Sequence, residues 1–535
     1  MHAIGYIPSL SNTLFLFSNI MYQIFAIASI FSLGFLGVCH GQVTGIDVRD
    51  MMEEMEHIWV DNDGTNSNGF VKGVSPCLNY ALGSSNQGEQ TSAQWVRFAF
   101  HDFVTANTTT GTGGMDASLG FESTRGENHG LFVNDSLTFF KPTVNAYLSM
   151  SDNIALAVVA SVAKCGGSNS GIKLRVGRID ATSAGPAGVP GPATDLNTTL
   201  AQFAAAGFDA SQTIGLTACG HSLGRVHNSD TPNVVNSSFV TATNLDGGEP
   251  FDSTPGVLDP NNINDYLDGT GNRGGPLCTA ANVADRSDYR LYISDNNATI
   301  QTMSEETAFQ TKCNSLFEKM IEVVPSTVTL SDAVKPMEWK AVDVLMDISL
   351  RGDVSISGLI RNLYTTTQPP KTVSYSTNSS TGNSSTGTSS ETSGSGTSIF
   401  GSTTYWPFNS TIAPGTTSLS FNNVTYSVND NIFVLPAQSS FDSSSGSVIV
   451  KSAALTSASG NGVMTAVLYV PTEQEGTISP KIVQQNVTLT SYGTAGAYTL
   501  YSTDTVKISS TGTVIVKVAQ GDSSSRTIKV TTFAP

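Results

Sequence analysis

The stretch QWVRFAFHDF, residues 94–103, sets an arginine and a histidine four positions apart among mostly apolar side chains. Residues three and four apart share one face of a helix, so Arg97, Phe100 and His101 would lie side by side. Only 13% of the residues in this chain are charged, and only seven are histidines. Taken alone, such a pair is more often a simple surface contact, so the surrounding sequence has to decide whether it carries chemistry.

The length, composition and net charge of the chain limit the classes of protein to which it can belong. With 535 residues, it is long enough for more than one domain and a sizeable core. Its net charge is −17 with only 26 lysines and arginines, so it offers no basic surface to nucleic acid. An acidic chain with few charges and many serines, threonines and glycines is typical of a secreted protein.

The N-terminus predicts secretion. Residues 13–42 are a long apolar run that ends in small residues, and we expect residues 1–41 to be a signal peptide. Met21 is an alternative start that would leave a signal of ordinary length, and an uncleaved anchor is the competing interpretation. The last residues, 528–535, contain no hydrophobic tail, which disfavours a glycolipid anchor.

Ten Asn-X-Ser/Thr sequons predict a glycosylated product of a eukaryotic secretory pathway. They begin at Asn107, Asn134, Asn197, Asn236, Asn297, Asn378, Asn383, Asn409, Asn423 and Asn486. Once the signal is removed, five cysteines remain, and an oxidising compartment would form two disulfides and leave one thiol. The sequence alone leaves the pairing open among Cys77, Cys165, Cys219, Cys278 and Cys313.

The chain changes its hydrophobic period once. From residue 43 to about 365, apolar residues recur at helical spacing, for example in DNIALAVVASVAKC at 152–165. Long loops rich in Gly, Asn, Asp and Pro separate these segments, and such loops often carry binding sites. Near the C-terminus, segments such as TVIVKVAQ at 513–520 alternate apolar and polar residues, which predicts strands.

We therefore predict a mainly α fold with a helical domain at 42–370 and an all-β, sandwich-like domain at 403–535. Residues 371–402 between them are Ser/Thr/Gly repeats, which cannot bury enough apolar surface to order themselves, so we expect a disordered linker there. The β domain contains no cysteine or histidine and shows no catalytic pattern.

A second histidine stands out beside His101. His221 lies in TACGHSLGRVHN at 217–228, where Gly220 would let a flat cofactor approach closely. A lone buried histidine is more often a core residue than a ligand, so the assignment of His221 as a ligand depends on other motifs. Seven such motifs follow one another along the chain: RFAFHD (97–102), GGMDAS (113–118), ENHGL (127–131), RVGRIDA (175–181), GHSLGRVH (220–227), FDSTPGVLD (251–259) and SDYRLYISD (287–295). In this order they resemble the secreted fungal branch of the plant–fungal–bacterial haem peroxidase superfamily, and the resemblance extends over about residues 45–365.

The resemblance implies a haem b cofactor and assigns roles around it. It makes His221 the proximal iron ligand, Asp288 the acceptor of its second ring proton, and Phe251 the aromatic residue below the ring. On the distal side it implies that His101 moves the peroxide proton and that Arg97 stabilises the leaving oxygen. It also implies that Asn128 accepts a hydrogen bond from His101 and that Phe100 packs over the haem.

Two calcium ions are also implied, each beside one of the histidines. All-oxygen ligand sets with irregular spacing suit calcium, although turns capped by Asp and Ser side chains are the competing interpretation. The first set is Asp102, Gly114, Asp116 and Ser118. The second set is Ser222, Asp252, Thr254, Val257 and Asp259. The resemblance further implies a Cys77–Cys165 bridge, with Cys278–Cys313 as a plausible second bridge and Cys219 left over.

Two departures from specialised relatives narrow the expected chemistry. Manganese-oxidising members carry acidic residues at the positions of Gln90, Gln94 and His227. Lignin-type members carry a tryptophan at the position of Leu216. We therefore expect a generic extracellular peroxidase that reduces hydrogen peroxide, oxidises small phenolic donors in one-electron steps and acts as a monomer without nucleic-acid partners.

The β domain suggests a binding module for cell-wall polysaccharide, with a structural spacer as the alternative. The alternative function for the whole chain is a secreted cell-wall structural or binding protein whose peroxidase-like domain has little activity.

Overall fold

The computed structural model of the chain describes residues 45–84, 86–166, 171–366, 369–380, 382–390, 392–457 and 462–534. The predicted signal peptide lies outside these residues. The helices lie in the first part of the chain. They are α1 (Val48–Val60), α2 (Thr91–Phe103), α3 (Phe132–Phe140), α4 (Met150–Cys165), α5 (Leu196–Ala205), α6 (Ala210–Gly220), α7 (Asn261–Asp268), α8 (Pro276–Thr279), α9 (Ser287–Ser294), α10 (Ala298–Gln301) and α11 (Glu306–Glu322).

Local sequence explains where the two central helices begin. The Ser149 hydroxyl accepts a hydrogen bond from the Asp152 amide at the start of α4, which satisfies a donor that the helix leaves free. Asp209 and Gln212 form a reciprocal capping box at the start of α6, and His221 is the residue that ends that helix. His221 is therefore fixed where a helix gives way to a loop.

Strands dominate the second part. They are β1 (Asp63–Gly64), β2 (Arg225–His227), β3 (Gly248–Pro250), β4 (Trp339–Ile348), β5 (Val354–Tyr364), β6 (Val373–Ser379), β7 (Ser384–Ser389), β8 (Gly394–Ser398), β9 (Gly401–Ile412), β10 (Thr416–Phe421), β11 (Val424–Ser427), β12 (Ile432–Val434), β13 (Ser440–Asp442), β14 (Ser447–Ile449), β15 (Lys451–Leu455), β16 (Met464–Gln474), β17 (Thr477–Thr488), β18 (Thr490–Ala495), β19 (Tyr498–Ser502), β20 (Val506–Lys507), β21 (Ile515–Gln520), β22 (Ser523–Ser524) and β23 (Ile528–Lys529).

The strands form antiparallel sheets. Their orders are β1-β8-β9-β5-β4, β11-β10-β6-β7, β12-β15-β19-β18, β13-β14-β20 and β17-β16-β21-β22, with β23 on β21 and a separate β2-β3 pair. In the first sheet, Ile360 of β5 lies opposite Trp406 of β9. Both side chains are completely buried in a core that belongs to the β-rich part.

The prediction of a mainly α fold is wrong, because the chain is 29% helix and 28% strand. The β-rich part begins at Trp339 in β4, well inside the range that we assigned to the helical domain. Residues 371–402 also differ from the expected disordered linker, since they carry β6, β7 and β8. Serine and threonine bury little apolar surface, but β6 pairs with β7 and β10, and β8 pairs with β9, which satisfies backbone groups of these strands. Threonine also favours extended structure.

The two parts of the chain share one core. Tyr469 of β16 and Ile515 of β21 belong to the same buried cluster as the side chains of α2 and α4. Residues 43–535 accordingly form a single compact unit. Among the described residues, no helix is both long enough and apolar enough to cross a membrane.

The disulfides follow one prediction and correct another. Cys77 and Cys165 are bridged, as expected. The expected Cys278–Cys313 bridge is wrong, because Cys313 of α11 pairs with Cys219 near the end of α6. The Cα atoms of Cys219 and Cys313 lie 5.5 Å apart, an ordinary separation for a bridge, while Cys278 is a buried free thiol.

Candidate active site

Helix α2 carries the motif with which the sequence analysis began. Trp95, Phe98 and Phe103 are almost fully buried and fix the helix in the core. Arg97 and His101 lie one turn apart, and the Arg97 Nε–H donates to the His101 Nε2 atom at 3.4 Å. The Arg97 guanidinium also donates to the His129 carbonyl at 3.2 Å. The arginine is therefore held beside the imidazole.

The partners of His101 specify its protonation. Its Nδ1 atom lies 2.8 Å from Oδ1 of Asn128, whose amide nitrogen donates to the Glu122 carbonyl at 3.2 Å. Because the Asn128 oxygen can only accept, His101 carries its proton on Nδ1 and keeps Nε2 unprotonated, with a lone pair that faces Arg97 and can act as a base. Burial, reinforced by the neighbouring Arg97, lowers the pKa of His101 to about 3, although the bond to Asn128 acts in the opposite direction.

His221 has a different set of partners. Its Nδ1 atom lies 2.7 Å from Oδ2 of Asp288, which is 1% exposed in the first turn of α9. The Phe251 ring is stacked on the imidazole, with 4.5 Å between the ring centroids. The His221 Nε2 atom has no hydrogen-bond partner among the described residues, so a nitrogen lone pair remains available on a partly exposed ring.

Both histidines line a single cavity of about 350 Å³, which is in the range of ligand-binding pockets. Its other walls are mainly apolar, and they include Val96, Phe100, Phe203, Leu216, Leu223 and Phe317. Arg225 and His227 also line it and offer cationic or hydrogen-bonding groups. A flat apolar ring system with carboxylate side chains, such as haem, matches this donor set, because His221 offers a free nitrogen and Arg225 a positive charge.

The first predicted calcium set lies at the end of α2. The Asp102 carboxylate accepts hydrogen bonds from the amides of Asp116, Ala117 and Leu119. Burial raises the pKa of Asp102, and the nearby Asp116 carboxylate raises it further. The Gly114 carbonyl accepts from the Asp116 amide, and Gly114 has a φ of +111°, where a Cβ would meet the Val323 carbonyl oxygen at 2.5 Å.

Ser118 completes this set, with its amide bonded to Oδ1 of Asp116 at 3.0 Å and only 3% of its surface exposed. The structure therefore brings together all the residues that the sequence analysis assigned to this position.

The second set lies directly after His221. The Ser222 hydroxyl contacts the carbonyl oxygens of Asp259 at 2.6 Å and Val257 at 3.4 Å, and Thr254 donates to Oδ2 of Asp259 at 2.9 Å. Asp252 is fully buried, and its Oδ2 atom has no partner in the described chain. Burial raises the pKa of Asp252 to about 7. An unpaired buried carboxylate oxygen among other oxygens is what a hard cation would satisfy.

Neither set is a cluster of several charged ligands. Among the residues that the structure describes, no group of three or more His, Cys, Asp or Glu side chains could hold a metal ion. Each set instead combines two carboxylates with hydroxyl or carbonyl oxygens, a combination that calcium accepts.

Some cavity residues were missed by sequence reasoning. Arg225 stands inside a motif that we quoted, yet nothing in its spacing marked it as a lining residue. Glu127 and the segment Val189–Pro192 also line the cavity, and irregular backbone leaves no periodic pattern that could have identified them.

Comparisons with known proteins agree with this geometry. A family model described as "Peroxidase" matches residues 82–319, the range that holds every side chain of the site described above. The chain is also 37% identical over 328 residues to a "WSC domain-containing protein" of Arthroderma benhamiae. That alignment covers 60% of this chain and 44% of the relative, so the chain spans less than half the length of the curated relative that it matches.

Proposed function

We propose that the chain is an extracellular haem peroxidase that oxidises small phenolic donors, a proposal supported by the match of residues 82–319 to the family model described as "Peroxidase". The observation that carries the proposal is the single cavity lined both by the Arg97–His101 pair and by the Asp288-bonded His221. His101 is kept unprotonated at Nε2 as a base, and His221 has an Nε2 atom available as a ligand. A peroxidase requires both roles.

In this proposal, the cavity would hold haem b, and the His221 Nε2 atom would bind its iron. Bound haem would supply an iron that binds hydrogen peroxide and accepts its oxidising equivalents. Asp288 accepts the second ring proton of His221 and makes the imidazole a stronger electron donor. Arg225 and His227 would hold the carboxylates of the porphyrin.

Arg97 and His101 act on the peroxide itself. The unprotonated Nε2 atom of His101 takes a proton from one peroxide oxygen and returns it to the other, which leaves as water. Arg97 stabilises the negative charge that develops on the leaving oxygen. Asn128 keeps the His101 proton on Nδ1 throughout, so the base is always presented in the same tautomer.

Calcium would hold the loops that follow the two histidines. We propose one ion at Asp102, Gly114, Asp116 and Ser118, and one at Ser222, Asp252, Thr254, Val257 and Asp259. The observation that supports the second ion is the buried, unpartnered oxygen of Asp252.

The setting of the enzyme is also part of the proposal. The apolar N-terminal segment and the ten sequons favour a secreted, glycosylated monomer whose partners are hydrogen peroxide and small reducing substrates. Cell-wall polysaccharide is a proposed partner for the β-rich part. The second candidate function is a secreted structural or binding protein with weak peroxidase activity, which the large β-rich part from Trp339 onward favours.

The test uses the full chain purified from a eukaryotic secretory host. We expect a haem absorbance band, and rapid turnover when hydrogen peroxide and phenol are added. Arg97→Leu and His101→Leu should retain the band and lose turnover about 100-fold or more. His57→Gln is the matched control, because His57 lies outside the cavity. A haem band without turnover would favour the second candidate, and the absence of a band would overturn the proposal.

A further inference from the structure

One wall of the cavity is built from irregular backbone. Val189, Pro190, Gly191 and Pro192 line it, and the described residues from 171 to 194 contain no helix or strand. Such a segment gets no hydrogen bonds from a helix or a sheet, so other groups must satisfy its amides and carbonyls and fix its position. We refer to residues 185–194 as the wall segment.

The side chains on the His101 side hold the first half of the wall segment. The Oε2 atom of Glu127 accepts hydrogen bonds from the amides of Gly188 at 2.9 Å and Val189 at 3.2 Å. Arg125 donates to the Gly185 carbonyl at 2.8 Å. The Glu122 carboxylate accepts the Gly185 amide at 2.7 Å, so two carboxylates anchor this end, and Glu127 is the one that holds the residues lining the cavity.

Arg290 holds the second half from the His221 side. Its Nη2 atom donates to the carbonyls of Pro192 at 2.6 Å and Thr194 at 2.7 Å. Its Nη1 atom donates to the Ala284 carbonyl at 2.6 Å. The Arg290 guanidinium therefore connects the region that precedes α9 to the wall segment through hydrogen bonds.

The two anchors are adjacent in sequence to the partners of the two histidines. Glu127 immediately precedes Asn128, which bonds His101, and Arg290 follows two residues after Asp288, which bonds His221. The elements that fix the two imidazoles thus also fix the wall. The wall segment also has a bond from the Gly185 amide to Glu122 and a turn of its own between Gly191 and Thr194, but Glu127 and Arg290 are the anchors at the residues that line the cavity.

We propose that Glu127 and Arg290 are specificity-determining residues, which hold the wall segment close and admit only donors with a single aromatic ring. This inference rests on the proposed function. Val189 and Pro190 border the cavity of about 350 Å³ on this side, so the position of the wall segment sets the width that a donor finds there. A one-ring phenol is flat and small enough for that width, whereas a two-ring phenol requires the wall to move outward.

The test compares phenol with 2-naphthol on the haem-loaded full chain. Glu127→Ala loses two charge-assisted hydrogen bonds, so the wall segment can move outward. We therefore expect kcat/KM for 2-naphthol to rise about tenfold relative to that for phenol, chiefly through a lower KM. Arg290→Ala should act in the same direction. Amide hydrogen exchange at Gly188 and Val189 should accelerate in Glu127→Ala, and calorimetry should show tighter binding of 2-naphthol without any turnover.

Two further variants separate specificity from general damage. Glu127→Gln keeps an oxygen that can accept both amides, so its donor preference should stay near that of the parent chain. Glu318→Ala is the matched control, since Glu318 accepts the Lys173 amide at 3.0 Å in the same irregular region but does not line the cavity.

An unchanged ratio between the two donors in both alanine variants, or an equal change in Glu318→Ala, would overturn the inference. If the parent chain oxidises neither donor, the proposed function fails. Amide exchange and calorimetry still decide the role of the wall in that case: faster exchange with tighter 2-naphthol binding supports it, and no change in either overturns it.

Discussion

At the scale of single residues, His101 and His221 differ in the group that accepts the Nδ1 proton. His101 donates to the neutral amide of Asn128, and burial beside Arg97 keeps its pKa at about 3. His221 instead faces the Asp288 carboxylate, which draws the imidazole toward anionic character. In the proposed function, the same side chain would thus serve as a neutral base at His101 and as an electron-rich ligand at His221.

Replacing Asn128 tests the role of that amide. Asn128→Val removes the acceptor, so the proton of His101 is no longer confined to Nδ1 and the base is presented correctly only part of the time. We expect the rate of reaction with hydrogen peroxide to fall about 10- to 100-fold, as is usual for partners of a catalytic group. Stopped-flow absorbance would measure it. An unchanged rate in a variant with a normal haem band would contradict the assignment.

The cysteine pairing can be checked directly. Peptide mapping without reduction should yield Cys77–Cys165 and Cys219–Cys313 peptides and one unmodified thiol at Cys278. Burial raises the pKa of that thiol, so alkylating reagents should reach it only after denaturation. A Cys278→Ser variant should keep both bridges, while recovery of a Cys278–Cys313 peptide from the native protein would show that the pairing described here is wrong.

At the scale of elements, the start of α4 depends on one carboxyl group. Asp180 accepts hydrogen bonds from the amides of Met150 and Ser151 and from the Ser151 hydroxyl. Burial nevertheless raises the pKa of Asp180 to about 6. The folded state therefore holds this proton more tightly than the unfolded state does, where the pKa is near 3.8. This contribution to stability is complete below about pH 4 and is lost as the pH rises through 6.

Asp180→Asn should remove that pH dependence. Between pH 4 and pH 7, the unfolding free energy of the parent should fall relative to that of the variant by up to roughly 3 kcal/mol. Urea unfolding at both pH values measures it, and taking the difference cancels the groups that both proteins share. A constant difference across this range would mean that Asp180 keeps an ordinary pKa.

The loop after α6 gives a second prediction at this scale. If calcium binds between Ser222 and Asp259, a chelator should lower the Tm of the parent protein. Calcium at 100 times its Kd adds about 2.7 kcal/mol to the stability of the folded state. Asp252→Asn should already have a lowered Tm and respond less to the chelator, since the buried Oδ2 atom that has no partner in the described chain is gone. Equal responses in the two proteins would place calcium elsewhere.

Sequence reasoning succeeded where local patterns carry the information. The helical period around Arg97 and His101 and the loop motifs near His221 placed side chains that the structure brings to one cavity. It failed where pairing is long-range, because a Ser/Thr-rich segment has no intrinsic signal for a distant strand. Strand β1 illustrates this, since Asp63 pairs with Thr397 far along the chain. The Cys219–Cys313 bridge was equally invisible, because it depends on how α6 packs on α11.

At the scale of the whole molecule, the β-rich part is anchored to α1 by buried charges. Arg361 of β5 is fully buried, and it donates to the carboxylates of Glu56 and Asp61. Lys340 of β4 also donates to Glu56, at 2.8 Å, and the Tyr405 hydroxyl to Asp61, at 3.0 Å. This contact makes the β-rich part a structural neighbour of the helices rather than a module on a flexible tether.

Removing one partner from this network leaves the others buried and uncompensated. Arg361→Met keeps much of the side-chain volume but leaves the carboxylates of Glu56 and Asp61 without their main counter-charge, which typically costs about 3–5 kcal/mol. Denaturant unfolding followed by circular dichroism should show that loss in a single transition, because the helical and β-rich parts share a core. Arg351→Met, at an exposed turn between β4 and β5, is the matched control and should change stability by less than about 0.5 kcal/mol.

Adding Glu56→Gln and Asp61→Asn to Arg361→Met should recover part of the loss, since neutral amides need no counter-charge. If Arg361→Met unfolds like the control, the β-rich part does not stabilise α1 through this network.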